Sequence, residues 1–252
     1  MTEPTRLAKR LAEMMPCSRR EAEQYITGGF VRVDGVVIEE PQFRVQDQKI
    51  DVSPDASLLA AMPVTILLHK PADVEAGLGA LRGAASAAGL LVPGNLWKDD
   101  RSELSPLKKH FADQVLVTPL APRASGLVVF TQDWRVARKL SEDANVMENE
   151  VLVDVSGDIK PGGLERLNRV DHGYTFNGIL LGSAKVSWQS ENRLRFALKG
   201  ERPGQIAFFC ESVGLQVEGM KRIRIGRVAM SSLPVGQWRY LLPHEKLSLI
   251  HI

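Results

Sequence analysis

Thr118-Pro119-Leu120-Ala121-Pro122-Arg123-Ala124-Ser125-Gly126-Leu127-Val128-Val129-Phe130-Thr131 is the stretch on which the reading of this chain turns. Two prolines and several small residues mark its first half as loop, because proline fixes φ and brings no amide hydrogen. The apolar run Leu127 to Phe130 reads as a strand, and Gln114 to Val117 as another on the near side of the loop. Ser125 and Gly126 read as a turn that needs small residues between the two strands. Ser125 as a nucleophile is the weaker reading, since no histidine or acid is placed to activate it.

Upstream, Leu7, Leu11 and Met14/Met15 recur at helical spacing. After a break at Pro16-Cys17, Ser18-Arg19-Arg20-Glu21 is a capping box that opens a second helix. Ala22, Tyr25 and Ile26 give that helix its buried stripe, and Gly28-Gly29 ends it. Phe30 to Ile38 alternates about Asp34-Gly35, the signature of a tight hairpin. Asp51 to Met62 reads as a linker. Val64 to Leu68 is a strand leading into His69-Lys70-Pro71. Glu75 to Lys109 is Gly- and Ala-rich and poorly periodic, a loop with one or two short helices.

Downstream, Trp134 to Leu140 is a helix with Val136, Ala137 and Leu140 on one face. Val151 to Val155 is a strand. Tyr174 to Leu180 carries a second tight-turn signal. Ile206 to Val213 is a helix stopped by Gly214. Ile223 and Ile225 belong to a strand, and Gln237 to Leu241 to a final one. Strands dominate with helices scattered among them, so the expected class is α+β: a small helix-helix-hairpin domain over residues 1–52, a linker over 53–62, and a larger domain over 63–252 built on a mixed or antiparallel central sheet.

The 252 residues are 44% apolar and 25% charged, ordinary soluble globular composition. A formal net charge of +2 means that any electrostatic footprint for nucleic acid must be local. Cys17 and Cys210 are the only cysteines, too few for a disulfide framework or a metal site, which favours a reducing cytoplasm. The charged N-terminus does not resemble a signal peptide. Leu58 to Leu68, the longest apolar stretch, is too short to span a bilayer. The five histidines (His69, His110, His172, His244, His251) form no metal-ligand pair. No cofactor or metal is expected, and a monomer is the default.

The central stretch resembles a motif of the RsuA/RluB-type ribosomal RNA pseudouridine synthases, G-R-L-D-x-x-T-S-G-L followed by an apolar strand and a threonine. Ser125-Gly126-Leu127 and the strand to Thr131 match it. His69-Lys70-Pro71 is similar to the N-K-P signature of the same family. Val213-Gly214-Leu215 and Lys221-Arg222-Ile223-Arg224-Ile225-Gly226 resemble its V-G-L and L-K-R-V-R-I-G. Residues 5 to 52 resemble the small S-four RNA-binding module, through S-R-R-E-A and V-x-V-D-G.

The resemblance implies a reaction and also where this chain departs from it. In the family an aspartate attacks the target nucleotide, a basic side chain keeps it ionised, and a tyrosine stacks on the base. The target uridine is extruded from its helix. Here Ala121 stands at the aspartate position and has no heteroatom. The K-x-Y pattern aligns with Asn149-Glu150-Val151, which puts Val151 where the tyrosine belongs. N-R-Q-[IV]-R-R-M aligns with Pro203-Gly204-Gln205-Ile206-Ala207-Phe208-Phe209, so both arginines become Ala207 and Phe208. Asp113 and Asp133 are the nearest carboxylates in sequence that could rescue chemistry, though Asp133 also suits the cap of the helix near Trp134. The resemblance therefore implies a catalytically degenerate homologue that binds structured ribosomal RNA. The alternative is an active synthase with a relocated carboxylate.

Binding RNA needs cations against phosphates. The candidates are Arg6, Lys9, Arg10, Arg19, Arg20 and Arg32 in the small domain, and Lys221, Arg222, Arg224 and Arg227 in the densest basic cluster. Strand alternation would put Lys221 and Arg227 on one face with Ile223 and Ile225, and Arg222 and Arg224 on the other.

Overall fold

In the computed structural model, which describes residues 4–54, 56, 63–77, 86–169, 175–176, 178–180 and 184–247, Ser18 caps its helix as the sequence predicts. Its hydroxyl accepts from the Glu21 amide at 3.2 Å, and the Glu21 carboxylate accepts from the Ser18 amide at 2.7 Å. The helices are Leu7–Met14 and Arg19–Thr27. Their apolar stripes, Leu7, Leu11, Ala22 and Ile26, bury against Val31, Val33 and Val45. The hairpin Val31–Val33 and Val36–Val37 turns through Asp34 and Gly35, both at positive φ (49° and 82°), the type I′ geometry that Asp-Gly favours.

Two details of this region differ from the sequence reading. Ile50–Val52 is a strand paired antiparallel with Val31–Val33, so Asp51 and Val52 belong to a sheet and not to a linker. Residues 55 and 57–62 of the expected linker lie outside the described residues. The contact pattern divides the chain into two units, Met1–Val64 with Glu103–Asp113, and Thr65–Ser102 with Gln114–Ile252. The first unit thus takes in a second piece of chain. There the Lys108 amide donates to Glu39, and Lys108 Nζ pairs with Glu40 at 2.8 Å.

The second unit is built on a mixed sheet. Its strand order is Ala184–Ser190, Arg193–Lys199, Glu148–Ser156, Gln216–Ile225, Ser125–Thr131, Thr65–Lys70, Trp238–Tyr240. Every neighbouring pair along that order is antiparallel except Gln216–Ile225 against Ser125–Thr131, which is parallel. The helix Gln205–Ser212 packs Ile206, Phe209 and Cys210 onto Val151, Val153 and Phe196. The helix Trp134–Glu142 buries Leu140 with Leu127, Val129 and Ile225. In the Glu75 to Lys109 region the described part holds short 3-10 turns, Ala87–Leu90, Pro93–Asn95 and, overlapping its end, Lys108–Phe111; residues 78–85 lie outside the described set. The turn signal at Tyr174 to Leu180 coincides with a pairing of Thr175–Phe176 and Ile179–Leu180, while Tyr174 and Asn177 fall outside the described residues.

Ser125 and Gly126 are not a turn. They begin the central strand Ser125–Thr131. Gly126 has φ +113° and lies against the backbone of Arg222 on the parallel neighbour; a Cβ there would sit 2.9 Å from the Arg222 carbonyl carbon and still closer to its oxygen. Glycine is required by this close approach of two strands.

Candidate functional site

The parallel junction brings the motif loop and the late basic strand together. Beside them opens a cavity of about 380 Å³ in the second unit. Ala121, Val151 and Ala207 all line it, although they come from a loop, a strand and a helix far apart in sequence. Thr118 to Pro122 form one wall, Asn149, Val151, Met220 and Arg222 another, and Glu201 to Gly204 with Ile206 and Ala207 a third.

The motif loop is held firmly. Thr118 Oγ1 accepts from the Val129 amide at 2.8 Å, and the Ala124 amide reaches back to the Ala121 carbonyl at 3.1 Å. Lys70, fully buried, donates from Nζ to the carbonyls of Pro71, Val74 and Pro122 at 2.7–2.9 Å. Burial pushes its ammonium down to about 8, with Glu75 and Asp73 acting in the other direction and Arg222 in the same one. Arg222 is only 4% exposed. Its Nε donates to Leu127, and its two terminal nitrogens donate to Pro119 at 3.2 Å and Thr118 at 2.7 Å. Burial lowers it to about 10, opposed by Glu201.

This placement corrects the expectation for Arg222. A guanidinium enclosed by main-chain carbonyls at the cavity wall is not a cation of the outer surface and can be approached only through the cavity. A register shift between Arg222 and Arg224 in the strand pairing upsets simple alternation, so the two do not share one environment. Arg224 forms ion pairs with Glu148 and with Glu150 at 2.7 Å. Arg227 is exposed and Lys221 half-buried. In the first unit Arg6, Lys9, Arg10, Arg19, Arg20 and Arg32 are all exposed. Lys9 and Arg10 approach Glu13 at 4.0 Å, and Arg19 approaches Glu23 at 3.7 Å. Such exposed pairs are weak and leave a cation free to exchange partners.

Neither rescue candidate is at the cavity. Asp133 caps the helix Trp134–Glu142, its Oδ1 accepting from the Arg135 amide at 2.9 Å. Asp113 is exposed and falls in the first unit. The cavity carboxylates are Glu75 and Glu201, which sequence order did not single out. Asn149 Nδ2 lies 3.5 Å from Glu201, and Asn149 Oδ1 is buried without a hydrogen-bond partner. Gln205, which matches the family motif, is 1% exposed; its side chain accepts from the Arg202 amide at 3.0 Å and so shapes the loop that enters the helix. Phe208 is half-buried against the neighbouring apolar core. No cluster of three or more His, Cys, Asp or Glu suited to a metal occurs among the described residues, and none of their helices is long and apolar enough to cross a membrane.

Comparison with known proteins agrees with the geometry. Residues 5–49 match the family model described as the S4 domain. The chain is 27% identical to the dual-specificity RNA pseudouridine synthase RluF of Escherichia coli (strain K12), over 98% of this chain and 79% of that one. It is 26% identical to the ribosomal large subunit pseudouridine synthase B of Bacillus subtilis (strain 168), over 95% and 93%. A crystal structure of a pseudouridylate synthase superposes with a TM-score of 0.57 at 17% identity, covering 94% of this chain and 95% of the other, a likeness of fold.

Proposed function

We propose that this chain, which is of the RsuA/RluB-type pseudouridine synthase family with an S4 domain at its N-terminus, binds structured ribosomal RNA and no longer isomerises uridine. The observation that carries this reading is a division among the motif residues. Those that hold backbone in place are kept: Lys70, Gly126, Gln205 and Arg222. Those that face the cavity have lost their chemistry: Ala121, Val151 and Ala207. Two alanine methyls and a valine offer neither nucleophile nor proton relay.

The RNA-binding surface is assigned to the exposed cations of the first unit, with Arg227 and Lys221 as candidates in the second. The protein acts as a cytoplasmic monomer without a cofactor. The test is filter binding of ribosomal RNA transcripts across a salt series. Affinity should fall steeply with salt, and Arg19→Ala with Arg20→Ala should each flatten the slope by about 1. Salt-insensitive binding, or no binding, would refute the RNA reading and leave a protein-interaction scaffold.

A second reading is supported by Glu201. It is a carboxylate on the cavity wall next to Asn149, so a relocated acid is available there for a working synthase. If wild type makes pseudouridine and Glu201→Gln does not, this second reading replaces the first.

A further inference from the structure

Two buried cations hold the loop that carries Ala121, and among the described residues no carboxylate is hydrogen-bonded to either. Lys70 is fully buried and Arg222 nearly so. Their six hydrogen-bond acceptors are all neutral main-chain carbonyls, and three of those, Thr118, Pro119 and Pro122, belong to the loop around Ala121. A guanidinium has five N–H groups. Three are used in these bonds, and two remain.

Asp73, Glu75 and Glu201 act on these cations only through space. A buried charge without a hydrogen-bonded countercharge is costly, and adding one partner recovers much of that cost. Ala121 itself is exposed, so the loop can be reached from solvent. Arg222 and Ala121 line the same cavity, whose volume is within the usual range for small-ligand sites.

We propose that this part of the cavity is a binding site for a small oxyanion of carboxylate size, seated at the Ala121 methyl and held by the Arg222 guanidinium. The anion supplies the countercharge that an aspartate at position 121 would have supplied. This rests on reading Ala121 as a vacated carboxylate position and not on RNA binding. The oxygens can come from a free anion or from a phosphate of bound RNA; both offer the paired acceptors that a guanidinium favours.

The experiment is thermal melting of the full chain in sodium formate against sodium chloride at matched ionic strength, for wild type and Ala121→Asp. With formate at about ten times a Kd, the wild-type Tm should rise by roughly 3 °C or more. Ala121→Asp should melt above wild type in chloride and show no formate-specific rise, because its own carboxylate occupies the site. General salt effects act on both proteins alike and cancel in the comparison. Ala121→Leu, which fills the space without charge, should also lose the formate response, and serves if the aspartate variant does not fold. Equal formate responses in wild type and variants, or none in wild type, would overturn the proposal.

Titration of ribosomal RNA in the two salts separates the sources. A several-fold weaker affinity in formate supports the site with RNA phosphate as its ligand; unchanged affinity beside a formate-raised Tm supports it with a free anion. Loss of RNA binding altogether counts against the function proposed above, while the melting comparison still decides the anion site.

Discussion

Gly126→Ala should destabilise the second unit by several kcal/mol, and the reasons can be counted. The residue sits at φ +113°, where an L side chain is strained. Such backbone conformations cost about 1–3 kcal/mol for a residue with a Cβ. The new Cβ would also meet the Arg222 main chain, 2.5 Å from its nitrogen and 2.9 Å from its carbonyl carbon. Those atoms belong to the parallel strand pair at the centre of the sheet and cannot swing away as a flexible side chain would. Overpacking of this kind adds about 1–3 kcal/mol. Together the loss is roughly 2–6 kcal/mol, a large share of the ~5–15 kcal/mol that holds a domain folded. At ~2–4 °C per kcal/mol for a unit of this size, Tm should fall by at least about 4 °C. Gly35→Ala is the control, since Gly35 also has positive φ but nothing lies within 4 Å of its would-be Cβ. It should cost about 1 kcal/mol from conformation alone. Guanidinium denaturation of both variants, with the slope of each transition checked, gives the comparison. A Gly126→Ala variant within ~0.5 kcal/mol of wild type, or one no worse than Gly35→Ala, would refute the close-approach argument.

Two further outcomes follow from buried titratable groups. Burial lowers the Lys70 ammonium from its usual 10.5 to about 8, so the unfolded chain binds more protons than the folded one between those values. Stability should therefore rise as pH climbs through that window, by at most roughly 3 kcal/mol, with the three carbonyl bonds to the ammonium working against the full amount. Denaturation midpoints at pH 8 and 10.5 for wild type and Lys70→Met should show that rise in wild type alone; identical pH dependence would contradict it. Cys210 is fully buried and its thiol is pushed up to about 12, whereas Cys17 is half-buried. A thiol-specific disulfide reagent at pH 8 should label one cysteine in the native protein and the second only after unfolding. Rapid labelling of both would show that the helix Gln205–Ser212 does not seal its inner face.

What the sequence conveyed depended on distance along the chain. The Ser18–Glu21 capping box and the Asp34-Gly35 turn are local, so residue types a few positions apart suffice to specify them. The cavity positions were legible through the family motifs, because Ala121, Val151 and Ala207 do converge. Long-range packing was not legible. Nothing in Glu103–Asp113 announces that it joins the N-terminal unit, since that depends on Lys108 finding Glu39 and Glu40. Arg222 looked like a surface cation because strand alternation assumes an unbroken register, and the shift beside it is set by the partner strand. Asp113 and Asp133 were near Ala121 in sequence only, whereas Glu201 reaches the cavity from a distant helix entrance. Leu194, Phe196 and Leu198 alternate clearly and bury on one face of a strand, a signal present in the sequence that the expected element pattern omits.

The most direct test of the central claim is chemical mapping of pseudouridine in ribosomal RNA transcripts incubated with the purified protein. The account predicts no new pseudouridine with wild type or with Ala121→Asp, because the tyrosine and arginine positions would still be Val151, Ala207 and Phe208, alongside salt-sensitive binding of the same transcripts. A pseudouridine that appears with wild type would contradict it and turn attention to Glu201; robust turnover by Ala121→Asp alone would show that the missing partners do not matter.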